Sequence, residues 1–262
     1  MSPLQSHSEN GCLYVVGIGP GAPDTITRKA ESVLIEADVV IGNDFYLNLI
    51  PHLLKDQEVI RSSMGKEVDR TEQAIHLAKK RKVAMISGGD PGVYGMAGIV
   101  LEMAERIAPD LPVEIIPGVT AASAGAAKLG APLTNDFAVI SLSDLLTPRE
   151  VIEKRVRIVC SAGIPLVLYN PRSRTRTSLF EEVVQIALEH LPPETPVGIV
   201  KDAYREEEEV LVTILREVMD LEDRIDMHTV VFIGGEETRM IRRNNHERGV
   251  ITPRGYHRKY VY

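Results

Sequence analysis

Short apolar runs alternate with longer amphipathic stretches along the first half of this chain. Residues 13–16, 39–41, 83–86 and 113–116 are apolar or nearly so, the pattern of strands buried on both faces. Between them, Ala30, Val33, Leu34 and Ala37 recur at helical spacing. Ala97, Val100, Leu101, Ala104 and Ile107 repeat that spacing later. Further helices are predicted over 45–54, 71–80 and from Thr120, which is placed as an N-cap. Strand and helix in alternation predict a parallel α/β layer.

The second half carries strands at 137–141, 166–169, 197–200, 210–213 and 229–233. Thr147-Pro148-Arg149-Glu150 reads as a capping box, and Ser178 with Glu181 as another. A short helix is predicted over 214–219, and the acidic run 206–209 reads as a solvated hairpin edge. The organisation expected is a loose tail at 1–11, an N-terminal α/β domain at 12–135, a C-terminal α/β domain at 136–241 and a basic tail at 242–262. Gly130-Ala131-Pro132-Leu133 reads as the linker.

Composition narrows the class. The formal net charge of −7 argues against a broad basic surface for nucleic acid. Cys12 and Cys160 stand far apart and outside any C-x-x-C pattern, which points to a reducing compartment and to no structural zinc site. No apolar segment reaches membrane-spanning length, and the first residues lack the apolar core of a signal peptide. The expectation is a cytoplasmic protein without membrane contact.

Two glycine-rich turns follow predicted strands. The first, Gly17-Ile18-Gly19-Pro20-Gly21-Ala22, satisfies the G-x-G-x-x-G/A dinucleotide fingerprint on its face, and Asp44 stands at a tolerable distance for a ribose-binding acid. That fingerprint needs a helix opening within the glycines. Pro20 and Pro23 interrupt the turn, and helical spacing begins only near Thr27, so the nicotinamide reading is weakened and stays open. The second turn, Ser87-Gly88-Gly89-Asp90-Pro91-Gly92-Val93-Tyr94-Gly95, links a strand to a helix at the C-terminal edge of the sheet, where ligands of open α/β sheets bind. Its one acid suits a ligand with amine or hydroxyl groups better than a bare phosphate. The competing reading is a tight turn with a capping Asp.

Gly17-x-Gly-Pro-Gly21, Gly89-Asp-Pro-x-x-Tyr-Gly95, Pro117-Gly-x-Thr-Ala121, Tyr169-Asn170 and Val231 to Gly235 occur in this order. Together they resemble the tetrapyrrole methylase superfamily, which uses S-adenosylmethionine. Gly130-Ala-Pro-Leu-x-x-Asp-Phe137, Ile140-Ser-Leu-Ser-Asp-Leu-Leu-Thr-Pro148, Tyr169-Asn-Pro-Arg-Ser-Arg174 and Ile251-Thr-Pro-Arg-Gly-Tyr256 are similar to its precorrin-3B (cobalt-precorrin-3) C17-methyltransferases of cobalamin biosynthesis. The resemblance implies a two-domain tetrapyrrole methylase fold with the cofactor in the interdomain cleft, a homodimer, and C17 methylation with ring contraction of the macrocycle.

It also implies site residues. Pro20, Gly88, Gly89, Asp90, Val93, Tyr94, Thr120, Ala121, Asn170 and Thr213 take the positions of cofactor contacts. A tetrapyrrole polycarboxylate needs positive partners in a net acidic protein. Lys66, Arg70, Arg172, Arg174, Lys201 and Arg254 are the candidates, since arginine forks pair with carboxylates. Lys66 and Arg70, four apart, would grip a carboxylate from one helix face; a solvated charged surface is the competing reading. Ring contraction calls for proton transfer, for which Asp144, Ser141 and Ser143 are the candidates; an Asx or Ser turn is the alternative for all of them. A methylase acting at another macrocycle carbon, a nicotinamide-dependent dehydrogenase and a non-catalytic tetrapyrrole- or nucleotide-binding regulator remain as alternatives.

Overall fold

A computed structural model describes residues 11–173, 176–243 and 247–261. The chain divides into two compact units, Met1–Ala121 and Ala122–Tyr262.

The first unit is built on a five-stranded sheet in the order β3-β2-β4-β1-β5. Its strands are β1 (Cys12–Gly17), β2 (Val39–Asn43), β3 (Glu58–Ser62), β4 (Lys82–Ser87) and β5 (Val113–Ile116), all parallel. Alternate side chains of β1 serve opposite faces. Val16 packs with Ala30, Val33 and Leu34 of α1 (Arg28–Glu36). Leu13 and Val15 pack with Ala74 and Ile75 of α3 (Glu67–Ala78) and Val100 of α4 (Ala97–Ile107). Burial on both faces is why the central strands β1, β2 and β4 read as continuous apolar runs.

The helix expected over 45–54 is corrected. Only α2 (Asp44–Leu47) forms, followed by a 3-10 turn at Pro51–Leu53. Pro51 has no N–H and disfavours helical backbone at Ile50, which lies at φ −123°. β3 was not anticipated; it is a half-exposed edge strand whose apolar pattern is weak. α3 opens at Glu67, so Lys66 and Arg70 flank its first turn.

The second unit carries a sheet in the order β10-β9-β11-β8-β7. Its strands are β7 (Ala138–Ser141), β8 (Leu166–Tyr169), β9 (Pro196–Lys201), β10 (Glu209–Ile214) and β11 (Thr229–Ile233). β7 and β8 are parallel, and β11 runs antiparallel to both β8 and β9, so β7, β8 and β9 share a direction. α6 (Arg149–Ser161) and α7 (Ser178–His190) cover one face through Val156, Cys160, Phe180 and Val183. α5 (Ala121–Leu129) covers the other, with Leu129 against Val200 and Phe232.

That packing moves the boundary from the expected 135 to 121. A Cβ on Gly125 would stand 2.8 Å from the Phe232 ring, so the small residues of α5 serve close approach to the second sheet. The expected linker is itself paired: β6 (Gly130–Ala131) runs parallel to β13 (Glu247–Ile251), which pairs with β12 (Arg239–Arg243). Residues 247–252 are therefore packed against the second unit's own chain and not part of a separate tail; Val250 is buried, and Thr252 Oγ1 donates to Pro132 O at 2.6 Å. Neither expected capping box forms. α6 follows Pro148 and α7 follows Thr177, each without a side-chain cap hydrogen bond. The helix expected over 214–219 is a longer 3-10 stretch, Leu215–Arg224.

Candidate functional site

At the C-terminal edge of the first sheet, the loops after β1, β4 and β5 meet. Gly19 N donates to Gly89 O at 3.1 Å, and Gly89 N returns a bond to Gly19 O at 2.9 Å. Asp90 ties the third loop in: Oδ1 accepts from Gly92 N at 2.8 Å and Oδ2 from Gly118 N at 3.1 Å. The capping role of this acid is thus real, and each oxygen keeps a further lone pair for a ligand. Gly89 has φ +65°, a conformation that costs any residue with a Cβ. A Cβ there would lie 3.7 Å from Thr120 Cα and 3.8 Å from Ala121 N. Gly89, Asp90, Thr120 and Ala121 are thereby brought together, and Pro20 is buried beside them in the β1 loop.

Other members of the predicted set have different duties. A Cβ on Gly88 would fall 2.2 Å from the Tyr46 ring, so this glycine admits a tyrosine. Val93 is half-buried, and Tyr94, at φ 53°, is exposed. α1 begins at Arg28 under a Thr27 cap (Ala30 N to Thr27 Oγ1, 3.2 Å), with a 3-10 turn at Pro23–Thr25 before it. No helix opens within the first glycine turn, so the dinucleotide fingerprint lacks its anion site. Asp44 pairs with Arg61 at 3.2 Å.

The matching edge of the second sheet is made by the ends of β7, β8 and β9. Asn170, directly after β8, adopts φ 52°. Its Nδ2 donates to Ser141 Oγ at 2.9 Å, and the same oxygen accepts from Ser143 N at 3.2 Å. Ser141, Ser143 and Asn170 are therefore one cluster, and the Ser turn is present within it. Asp144 meets Arg176 at 3.5 Å, and Arg176 also donates to Asn170 O at 2.9 Å. Arg176 was missed in the sequence; the available signal was its place just past the Asn-Pro-Arg-Ser motif. Leu145 and Leu146 beside Asp144 are 84% and 97% exposed.

Thr213 does not join this cluster. It pairs with Val197 near the start of β9, on a strand separated from β8 by β9 and β11, and it is buried. With strands about 4.8 Å apart, its distance from Asn170 exceeds ~10 Å.

The positive patch expected for a polycarboxylate is largely neutralised by nearby acids. Lys66 pairs with Asp69 at 3.2 Å. Arg70 is only 4% exposed and donates to Ser62 Oγ at 2.6 Å, so the Lys66/Arg70 grip on one exposed helix face is corrected to a buried structural arginine. Arg172 pairs with Glu222 at 3.2 Å and also donates to its backbone oxygen. Lys201 pairs with Asp226 at 2.6 Å. That hydrogen bond holds the Lys201 pKa above its ordinary value. Burial pushes the Asp226 carboxyl up, but Lys201 and the His228 N–H outweigh it and leave its pKa lowered. Arg254 is exposed with no ion pair among the described residues, and Arg174 lies outside them.

Two glycine loops locked to each other at a parallel sheet edge, with an acid bridging to a third, are not the geometry of a pyrophosphate site. Comparison with known proteins decides the family. Residues 12–219 match the family model described as Tetrapyrrole (Corrin/Porphyrin) Methylases. The chain belongs to this family.

The cobalamin biosynthesis protein CbiHC of Archaeoglobus fulgidus is 42% identical over 250 residues, covering 95% of this chain and 54% of that protein. The chain thus spans about half the length of that relative. The probable cobalt-factor III C(17)-methyltransferase of Salmonella typhimurium is 42% identical over 245 residues, covering 93% of this chain and 99% of that one. Among solved structures, the methyltransferase CobJ superposes with a TM-score of 0.85 at 34% identity, covering 93% of this chain and 100% of CobJ. A uroporphyrin-III C-methyl transferase from Thermus thermophilus, complexed with S-adenyl homocysteine, superposes with a TM-score of 0.65 at 26% identity, covering 86% of this chain and 97% of that one.

Proposed function

We propose that this tetrapyrrole methylase transfers a methyl group from S-adenosylmethionine to C17 of a precorrin-3-type macrocycle, with or without cobalt, and promotes its ring contraction in cobalamin biosynthesis. The observation that carries this reading is the junction of Gly19, Gly89, Asp90 and Gly118 at the first sheet edge, in a chain 42% identical to a probable cobalt-factor III C(17)-methyltransferase. The residues there fit the cofactor. Gly89 offers backbone without a side chain beside Thr120 and Ala121, and Asp90 has acceptor capacity for hydroxyl or ammonium groups. When bound, S-adenosylmethionine supplies an electrophilic methyl on a sulfonium whose leaving group departs neutral.

The contribution of the chain's own residues is positional. In-line transfer to an electron-rich carbon is limited by alignment and desolvation, where effective molarity is worth roughly 7–11 kcal/mol. Rigid loops closed by backbone hydrogen bonds suit that task better than an acid–base triad. Gly88, Gly89, Asp90, Thr120, Ala121 and Pro20 are the proposed cofactor contacts, with Val93 and Tyr94 at their margin. Asn170 is a further proposed cofactor contact. Asp144, with Ser141 and Ser143 behind it, is the proposed proton-transfer group for ring contraction. Leu145 and Leu146 offer an apolar surface to the macrocycle face, and Arg254, without an ion pair among the described residues, a cation to its carboxylates. Lys66, Arg172 and Lys201 reach substrate only by exchanging their present carboxylate partners.

A homodimer in the cytoplasm completes the proposal, supported by the family resemblance and the two separated cysteines; no described helix is long and apolar enough to cross a membrane. Incubation with methyl-labelled S-adenosylmethionine and cobalt-factor III tests the activity. Label in a ring-contracted product methylated at C17 is expected. Label at another carbon would reassign the regiochemistry, and no label in any tetrapyrrole would overturn the reading.

A further inference from the structure

Arg176 stands at the centre of the second sheet edge. Its guanidinium reaches three elements: Nη2 donates to Asn170 O at 2.9 Å after β8, Nη1 meets Asp144 Oδ1 at 3.5 Å after β7, and Nη2 lies 3.8 Å from Met227 Sδ before β11. The side chain is 12% exposed, and its Nε–H is buried without a hydrogen-bond partner among the described residues. Its own backbone is fixed: Ser173 N donates to Arg176 O at 3.0 Å, and Arg176 N to Ser173 Oγ at 3.1 Å.

We infer that Arg176 is a positioning residue for the reaction, holding Asn170 and Asp144 in place without touching substrate; this rests on the proposed roles of those two residues. Asn170 occupies a left-handed conformation at φ 52°, which asparagine tolerates better than other residues with a Cβ and which its surroundings fix here. Two bonds do so. Arg176 holds the carbonyl, and Ser141 Oγ holds the side-chain amide. The loop of Asp144 is secured to the same point, since Leu142 N donates to Tyr169 O at 2.9 Å. A planar fork can serve a backbone oxygen and a carboxylate in different directions at once; an ammonium group on a flexible stem cannot. A buried N–H left without an acceptor is costly. The Nη contacts to Asn170, Asp144 and Met227 offset that cost at the one point where the three segments meet.

The test uses the full chain with R176K, R176Q, N170A and D144N, and the doubles R176K/N170A and R176K/D144N. S-adenosylhomocysteine affinity is read by calorimetry, kcat and KM for cobalt-factor III by methyl transfer, and folding by urea melts. R176K is expected to weaken S-adenosylhomocysteine about tenfold, because Asn170, no longer held, must be ordered at the moment of binding. Its kcat is expected to fall at least as far while KM for the macrocycle stays unchanged. Each double should be little worse than its poorer single, the signature of coupled residues. If R176Q fails to fold, R176K decides. Three outcomes overturn the inference: wild-type affinity and kcat in R176K with only a lower urea midpoint, fully additive doubles, or a raised macrocycle KM with unchanged kcat. If the wild type binds S-adenosylhomocysteine but methylates no tetrapyrrole, the proposed function fails, and the affinity arm still decides the role of Arg176.

Discussion

The two C-terminal sheet edges solve the same problem with different materials. The edge above β1, β4 and β5 is closed by backbone: Gly19 and Gly89 bond each other, and Asp90 collects N–H groups from two loops. The edge above β7, β8 and β9 is closed by side chains, through Ser141, Asn170, Arg176, Asp144, Lys201 and Asp226. A backbone junction leaves no room for adjustment, so its geometry is rigid and its substitutions are severe. A side-chain network can re-pair or admit water, so its substitutions are graded, and its charges can exchange an internal partner for a ligand's.

That contrast has measurable consequences. The largest is expected for Gly118→Ala, whose Cβ would stand 2.2 Å from Gly89 O and 2.9 Å from Gly17 C. Backbone cannot yield as a side-chain tip can, and a loss of about 3 kcal/mol is expected in urea denaturation, with S-adenosylhomocysteine binding abolished. A variant of wild-type stability would break the claim that the edge is closed by backbone contact. Next comes Asp90→Asn. The amide keeps one acceptor and presents an NH₂ to either Gly118 N or Gly92 N, so roughly 2 kcal/mol of stability should go, the scale of a hydrogen bond to a charged group.

At the other edge, Asp226→Asn should cost about 0.5 kcal/mol at neutral pH, because Asp226 is 42% exposed and solvent screens the pair. Its lowered pKa means that the folded state favours the carboxylate. The contribution is complete above the ordinary carboxylate range and disappears as pH falls through the lowered value. On the alkaline side it persists until pH passes the raised pKa of Lys201. The difference between wild-type and variant urea midpoints should therefore vanish in acid; a difference that grows in acid would contradict the pairing. The smallest effect is expected for Thr147→Ala. A working N-cap is worth about 1 kcal/mol, but no side-chain cap bond is present at α6, so the melting curve should hardly move.

The same contrast governs what was legible before the fold was known. The central strands and the glycine turns are written locally: apolar runs mark β1, β2 and β4, a weaker run marks the edge strand β5, and Gly-Gly-Asp-Pro marks the loop after β4. Local signals misled where tertiary pairing overrode them. Thr147 and Ser178 have the composition of caps without making them, and Gly130–Ala131 looks like a linker but is a strand because β13 comes back beside it. The role of Arg70 depended on Ser62 and Met96 converging around it. The Arg176 network brings together segments from β7, β8 and the turn before β11. Partners so far apart in the chain leave no periodic trace, so the candidates there were single residues, and Arg176 itself went unnoticed.

The central claim is that the backbone-closed edge holds the methyl donor. Diffraction from crystals grown with S-adenosylhomocysteine tests it most directly. The nucleoside and sulfur are expected against Gly88, Gly89 and Asp90, with Thr120 and Ala121 in contact. Density for the ligand at any other place on the chain, with that edge bare, would contradict it.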